Sequence, residues 1–137
     1  MIEEYLRQID ELLSTSPMVN DVVIVRRSIR DTELEKVLNY RYRVTLADGG
    51  LVEMTERVLE VQGALEVTRY RHHWQNANGL LIKRWDNAPH YPALETFPHH
   101  LHDGAENRVA PHPAITGLEA LQRILAEVEA QGSTGGK

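Results

Sequence analysis

The sequence predicts an α+β fold, in which an antiparallel, meander-like sheet of about five strands carries an N-terminal and a C-terminal helix on one face. Both ends of the chain have apolar residues at helical spacing, and the region between them has alternating, β-branched segments joined by glycine-containing turns. With 137 residues the chain suits one domain. We place this domain at residues 1–131 and expect the small, polar tail 132–137 to be disordered.

The first helix is predicted for residues 2–13. Its apolar residues recur at i, i+3 and i+4 and therefore form one face: Ile2, Tyr5, Leu6, Ile9, Leu12 and Leu13. Ser16 and Pro17 follow and indicate where the helix stops. Residues 20–30 are rich in β-branched side chains, which predicts a strand, and the polar segment 31–36 predicts a connection.

Residues 38–61 predict a hairpin, because apolar and polar residues alternate on both sides of the turn-forming Asp-Gly-Gly at 48–50. A two-residue loop would place Val44 opposite Glu53. A three-residue loop with a glycine bulge would place Val44 opposite Met54, and we prefer this register because it separates apolar from polar side chains.

The second half of the chain predicts another hairpin and another helix. Residues 64–75 and 80–87 flank the turn sequence Asn-Ala-Asn-Gly at 76–79. Thr116 and Glu119 have capping-box spacing, and apolar residues at helical spacing follow them: Leu118, Leu121, Ile124, Leu125 and Val128. Between hairpin and helix lies a segment rich in proline and histidine, which we expect to be an ordered loop over the sheet, since proline restricts the backbone.

Composition limits the classes of function. The chain has no cysteine, which excludes disulfides and thiolate metal sites, and its net charge of −5 argues against a surface that is basic overall. No apolar run approaches the roughly 20 residues that span a bilayer, so we expect a soluble, cytoplasmic protein that does not interact with membranes. No nucleotide-binding glycine loop or other cofactor motif is present, and we expect no cofactor.

The second hairpin carries a cluster of positive charge. The segment between Val67 and Trp85 contains no acidic residue, and its turn brings its basic and aromatic residues onto neighbouring strands. Such a platform can bind phosphates and stack bases. The candidate nucleic-acid-binding residues are Arg69, Arg71, Trp74, Lys83, Arg84 and Trp85. The alternative is an ordinary solvated sheet face, since alternation of this kind is common in antiparallel sheets.

His100 and His102 form an H-x-H pair, whose rings project to the same side of an extended chain. Two such imidazoles can serve as acid and base around one phosphodiester. The candidate catalytic residues are His73, His90, His100, His102, Arg71 and Lys83. A metal shell completed by Asp86, His90 or Asp103 is an alternative that we rank below the metal-free role. A purely structural arm with packed or exposed histidines is another.

Several runs in this region resemble one family. They are HHWQ at 72–75, the Asn-Gly turn, KRWDNAPH at 83–90, and TFPHH at 96–100 followed by His102. Together they are similar to the signature region of the TumE family of small prokaryotic toxin–antitoxin proteins. The resemblance implies the toxin half of a two-gene module, and an antitoxin partner that is often a helix-turn-helix DNA-binding protein. It implies no particular set of catalytic residues.

Three hypotheses follow for the function. The first is an RNA-directed toxin that works as a metal-independent endoribonuclease with paired histidines, by analogy with other small toxins. The second is a module that binds nucleic acid or protein without catalysis. The third is a metal-dependent hydrolase built on His100, His102 and an acidic residue. A homodimer is compatible with each.

Overall fold

A computed structural model describes the backbone of residues 1–135 and the side chains of residues 1–132. The order of its elements is α1 (Ile2–Thr15), β1 (Val19–Asp31), β2 (Lys36–Leu46), β3 (Leu51–Val61), β4 (Ala64–Gln75), β5 (Leu81–Asp86), β6 (His100–Asp103), β7 (Val109–Pro111) and α2 (Gly117–Gly135). The seven strands form a single sheet in sequence order, and every neighbouring pair is antiparallel. The predicted α+β meander is therefore confirmed, with seven strands in place of about five.

The two faces of the sheet differ in burial. Along β2, the residues from Leu38 to Leu46 alternate between buried apolar side chains and exposed polar ones such as Arg41 and Arg43. Helix α1 contacts β1, β2 and β3, and helix α2 contacts β3 and β4. Both helices therefore cover one face, called the helix face below, and the opposite face, called the open face, carries polar side chains.

A buried carboxylate joins both helices to the sheet. Glu56 in β3 is 1 % exposed and accepts hydrogen bonds from the hydroxyls of Tyr5 in α1 (2.6 Å) and Tyr40 in β2. Its other oxygen accepts a hydrogen bond from the backbone N–H of Gly117, the first residue of α2, at 3.0 Å. Thr116 and Glu119 cap this helix as predicted, since the Glu119 N–H donates to the Thr116 hydroxyl at 3.1 Å.

The register of the first hairpin differs from the predicted one. Val44 lies opposite Val52, and Met54 lies opposite Tyr42, so the preferred pairing of Val44 with Met54 is wrong. The loop has three residues, as predicted, but it lies one residue earlier in the chain, at 47–49, because Leu46 and Gly50 close the turn by a backbone hydrogen bond of 2.9 Å. The shift moves the partner by two residues, so each side chain stays on its predicted face.

The proline- and histidine-rich segment contains two strands that the sequence analysis did not predict. β6 pairs with β5, and β7 pairs with β6, so the segment extends the sheet beyond the second hairpin. The connection 87–99 before β6 remains irregular, as expected. His100 and His102 thus lie in a strand, which places both rings on the same face of the sheet.

Helix α2 continues to Gly135 and therefore includes part of the predicted tail 132–137. Residues 136 and 137 lie outside the described residues, so the domain boundary at 131 stays a prediction. No helix within residues 1–135 is both long and apolar enough to span a lipid bilayer.

Candidate active site

Strand pairing brings several of the predicted catalytic residues together on the open face. Asp86 in β5 lies between Arg71 in β4 and His100 in β6, and Arg84 lies opposite His102. Directly paired residues of antiparallel strands point to the same face. A cleft of about 570 Å³ forms between these strands and the start of the connection 87–99, and it is lined among others by Arg69, Arg71, Asp86, His90, His100 and His102.

Asp86, His100 and His102 form a compact buried group, called the trio below. The carboxylate oxygen Oδ1 of Asp86 lies 2.9 Å from His100 Nε2, and Oδ2 lies 3.7 Å from His102 Nε2. The exposed fractions of the three residues are 6 %, 2 % and 4 %. Although the first distance is short, its angle is not that of a hydrogen bond, and His100 Nε2 has no hydrogen-bond partner within residues 1–135.

Backbone carbonyls fix the tautomers of both imidazoles. His100 Nδ1 lies 3.0 Å from the carbonyl oxygen of Pro98, and His102 Nδ1 lies 2.8 Å from that of Glu106. A carbonyl can only accept a hydrogen bond, so each Nδ1 carries the proton. In the neutral rings, Nε2 is therefore the unprotonated nitrogen, and both Nε2 atoms lie near the Asp86 carboxylate. This arrangement suits a proton or a cation between the three groups.

Arg84 is held by carboxylates and is not free to bind a phosphate. Its guanidinium donates two hydrogen bonds to Glu106, one of them at 2.5 Å, and its Nε lies 3.5 Å from Asp86 Oδ2. The hydrogen bonds from Arg84 lower the pKa of Glu106. With an exposed fraction of 8 %, Arg84 joins β5 to the turn after β6 and orients Asp86.

Arg69 and Arg71 provide the free positive charge of the cleft. Both side chains are exposed at its rim, and neither has an ion-pair partner among residues 1–135. Guanidinium groups bind phosphate oxygens through paired hydrogen bonds. Of the predicted nucleic-acid-binding residues, these two have the position and the exposure for that role.

The other predicted binding residues lie on the helix face, and their placement corrects the expected platform. Trp74 and Trp85 are 1 % and 3 % exposed and belong to the core, so neither ring is available to stack a base. Lys83 pairs with Trp74 and lines a separate cleft of about 530 Å³ beside α2. Adjacent strand residues point to opposite faces, which separates Lys83 from the trio and removes it from the candidate catalytic set.

The two remaining candidate histidines differ in position. His90 is exposed and lines the cleft. His73 pairs with Arg84 on the open face but is half-buried, and its Nε2 is bonded to the side chain of Gln75 at 2.9 Å. His90 can therefore reach a molecule in the cleft, whereas His73 does not line it.

Two further residues shape the site, and the sequence analysis gave them no role. The ring of Tyr91, half-buried in the connection 87–99, packs edge-on against His100 and His102 at centroid distances of 4.9 Å and 6.1 Å. Glu106 binds Arg84 and holds His102 through its backbone carbonyl. Only the unexpected pairing of β5 with β6 brings these residues together, so no local sequence signal marks them.

A comparison with protein families supports the resemblance of this region to the TumE family. The family model described as Toxin TumE matches residues 9–132, which include the whole cleft. The chain belongs to the TumE toxin family. No curated protein and no solved structure matches it. A TumE toxin implies an antitoxin as its partner in general, but membership of the TumE family by itself assigns no chemistry to the cleft.

Proposed function

We propose that this TumE toxin acts on RNA and that it is a metal-independent endoribonuclease. The observation that carries the proposal is the pair of imidazoles with fixed tautomers, whose Nε2 atoms face one carboxylate in a cleft rimmed by two unpaired arginines. Paired histidines can transfer both protons in the cleavage of an RNA phosphodiester.

The distances to Asp86 suggest a role for each histidine. His102 Nε2, at 3.7 Å from the carboxylate, acts as the base that takes the proton of the ribose 2′-hydroxyl. The 2′-oxygen then attacks phosphorus and the bond to the 5′-oxygen breaks. His100 acts as the acid and gives a proton from Nε2 to that leaving oxygen. The products are a 2′,3′-cyclic phosphate and a 5′-hydroxyl.

The rim of the cleft supplies the remaining functions. Arg71 pairs with Asp86 across the strands, so its guanidinium is placed to neutralise the charge that develops on the phosphate. Arg69 extends the same rim and binds a neighbouring phosphate. Tyr91 packs edge-on against both imidazoles and forms part of the cleft wall beside them.

Cleavage assays with the purified full-length chain test this mechanism. Wild type should cut single-stranded RNA, and the double variant His100→Ala/His102→Ala should be slower by a factor of about 100 or more, the usual size of one acid–base contribution. His112→Ala is a matched control, since His112 lies outside the cleft and bonds to the Pro113 carbonyl. Full activity of the double variant, or no cleavage by wild type, would contradict the proposal.

A second candidate is a metal-dependent hydrolase on the same trio. Metal-binding histidines usually donate their second N–H to a carbonyl or carboxylate, as His100 and His102 do here, and one ligand atom from each member of the trio lies within 4.8 Å of the others. Asp86, His100 and His102 would hold the metal, which would supply an activated water as the nucleophile in place of the ribose 2′-hydroxyl. A substrate with a 2′-deoxy nucleotide at the cut site is therefore cleaved only by this route, and EDTA abolishes only this route.

A toxin that binds RNA or a protein without cutting it is the third possibility. Its expected result is retained binding by wild type and by His100→Ala/His102→Ala, with intact RNA in both. For the partner, we propose an antitoxin of the helix-turn-helix DNA-binding type, encoded beside the toxin gene. Copurification of the two coexpressed chains tests that pairing. A homodimer and a cytoplasmic location stay predictions, which sedimentation and cell fractionation can check.

A further inference from the structure

A continuous row of side chains crosses the open face and ends at the trio. The strand registers pair Arg26 with Arg41, Arg41 with Thr55, Thr55 with Arg71, Arg71 with Asp86, and Asp86 with His100. Neighbouring strands lie about 4.8 Å apart, so the row extends over roughly 24 Å. Its outer half, on β1, β2 and β3, played no part in the predicted site.

A groove runs beside the outer half of this row and borders the cleft. It has a volume of about 410 Å³, and four arginines contribute to its wall: Arg26, Arg41, Arg57 and Arg69. Arg57 pairs with Arg69 across β3 and β4. Because Arg69 also lines the cleft around the trio, the groove and the cleft lie side by side at that residue. These four residues and Arg71 are called the arginine track below.

The arginine track has an excess of positive charge. Arg26, Arg57, Arg69 and Arg71 have no ion-pair partner within the described residues, and the hydroxyl of Thr68 accepts a hydrogen bond from Arg57 at 3.0 Å. Arg41 shares the carboxylate of Glu53 with Arg43, which leaves one positive charge uncompensated there. Free guanidinium groups on one face of a chain with net charge −5 indicate a polyanionic ligand for that face.

We propose that the arginine track binds the phosphate backbone of single-stranded RNA and leads it across β1–β4 into the cleft. This inference rests on the proposed function, which names RNA as the target. It extends the contact between protein and RNA from the scissile phosphate to several nucleotides upstream or downstream of it. A single strand fits because attack by the 2′-oxygen requires a backbone that can rotate into line, which a regular duplex prevents. Contacts to phosphates carry no base sequence, so binding through the track is tolerant of sequence.

The test measures binding separately from cleavage. Fluorescence anisotropy of a labelled single-stranded RNA of about 12 nucleotides, within the usual site sizes for single strands, is recorded with the His100→Ala/His102→Ala chain so that the probe stays intact. Arg26→Ala/Arg57→Ala, added to this background, removes two track residues that lie outside the cleft. Arg7→Ala/Arg123→Ala is the matched control, since both arginines lie on helices.

The track variant should bind the RNA about 10-fold to 100-fold more weakly. The slope of log K against log salt should become about 1.4 less steep, because each lost phosphate contact on a single strand removes about 0.7 from it. The control should keep both values, and circular dichroism should show that all variants are folded. Equal affinity and slope in the track variant would overturn the proposal, as would tighter binding of the corresponding RNA duplex.

The two proposals fail in different ways. If wild type cuts RNA while the track variant binds like its parent, the track is not a binding surface and the endoribonuclease proposal stands. If wild type never cuts RNA although loss of Arg26 and Arg57 weakens binding as expected, the track stands and the cleavage mechanism is wrong.

Discussion

Replacing His72 by leucine is expected to remove one pH dependence from the free energy of unfolding. His72 in β4 is fully buried on the helix face, and neither ring nitrogen has a hydrogen-bond partner among residues 1–135. Because burial disfavours the charged ring, the pKa of His72 falls from 6.5 to about 3. Between these two values the unfolded chain binds a proton at this residue and the folded chain does not.

The sign and the size of the effect follow from this difference. The neutral ring is compatible with the fold above pH 6.5, and stability is lost as the pH falls below that value, because protonation favours the unfolded chain. Each pH unit costs about 1.4 kcal/mol, so His72 alone lowers the free energy of unfolding by about 2.7 kcal/mol between pH 7 and pH 4.5. Leucine fills a similar volume and does not titrate.

Urea unfolding of wild type and His72→Leu, followed by circular dichroism at pH 7.0, 5.5 and 4.5, measures this loss. Taking the difference between the two chains removes the contribution of the carboxylates, which titrate in both. The free energy of unfolding of His72→Leu minus that of wild type should be larger at pH 4.5 than at pH 7.0 by about 2.7 kcal/mol. His112→Leu, at a histidine that is not fully buried, is the control for the substitution itself. If the wild-type and His72→Leu curves stay parallel, the ring is protonated within the fold and the reasoning is wrong.

Two further predictions concern stability, and urea unfolding at pH 7 measures both. Gly117→Ala should lower the free energy of unfolding by about 3 kcal/mol, because a Cβ would lie 2.2 Å from the Tyr40 hydroxyl and disturb its hydrogen bond to Glu56. Gly132→Ala in the same helix meets nothing within 4 Å and should be neutral or slightly stabilising. Leu38→Ala, at a fully buried site, should lower the free energy of unfolding by about 2–5 kcal/mol. Leu34→Ala, at an 87 % exposed site, should change it by less than about 0.5 kcal/mol. Equal losses within either pair would contradict the assigned packing.

The alternation of apolar and polar residues predicted the faces of the sheet but not the register of its strands. Pairing Val44 with Met54 and pairing it with Val52 differ by two residues, and both keep the same side chains in the core. The period of a strand therefore cannot choose between them. The choice is made in the turn, where Asp48 Oδ1 accepts a hydrogen bond from the Gly50 N–H at 2.8 Å and Gly49 adopts a φ of +85°.

The candidate site shows the same limit. The H-x-H spacing correctly predicted that His100 and His102 share a face, because that inference needs only an extended chain. Lys83 was grouped with them from its charge, although its place beside Arg84 in the same strand puts it on the other face. Asp86 was one of several acidic candidates, and only the long-range pairing of β5 with β6 selects it.

The Glu56 carboxylate has a consequence for how the molecule opens. It ties Tyr5, near the start of the chain, to Gly117, where the last helix begins, through one buried acceptor. Detaching either helix alone would remove one hydrogen-bond donor from the buried Glu56 carboxylate. Fluctuations that release one terminus are therefore coupled to the release of the other. Amide protons of α1 and α2 should accordingly exchange with solvent as one cooperative unit, despite the seven strands that separate them along the chain.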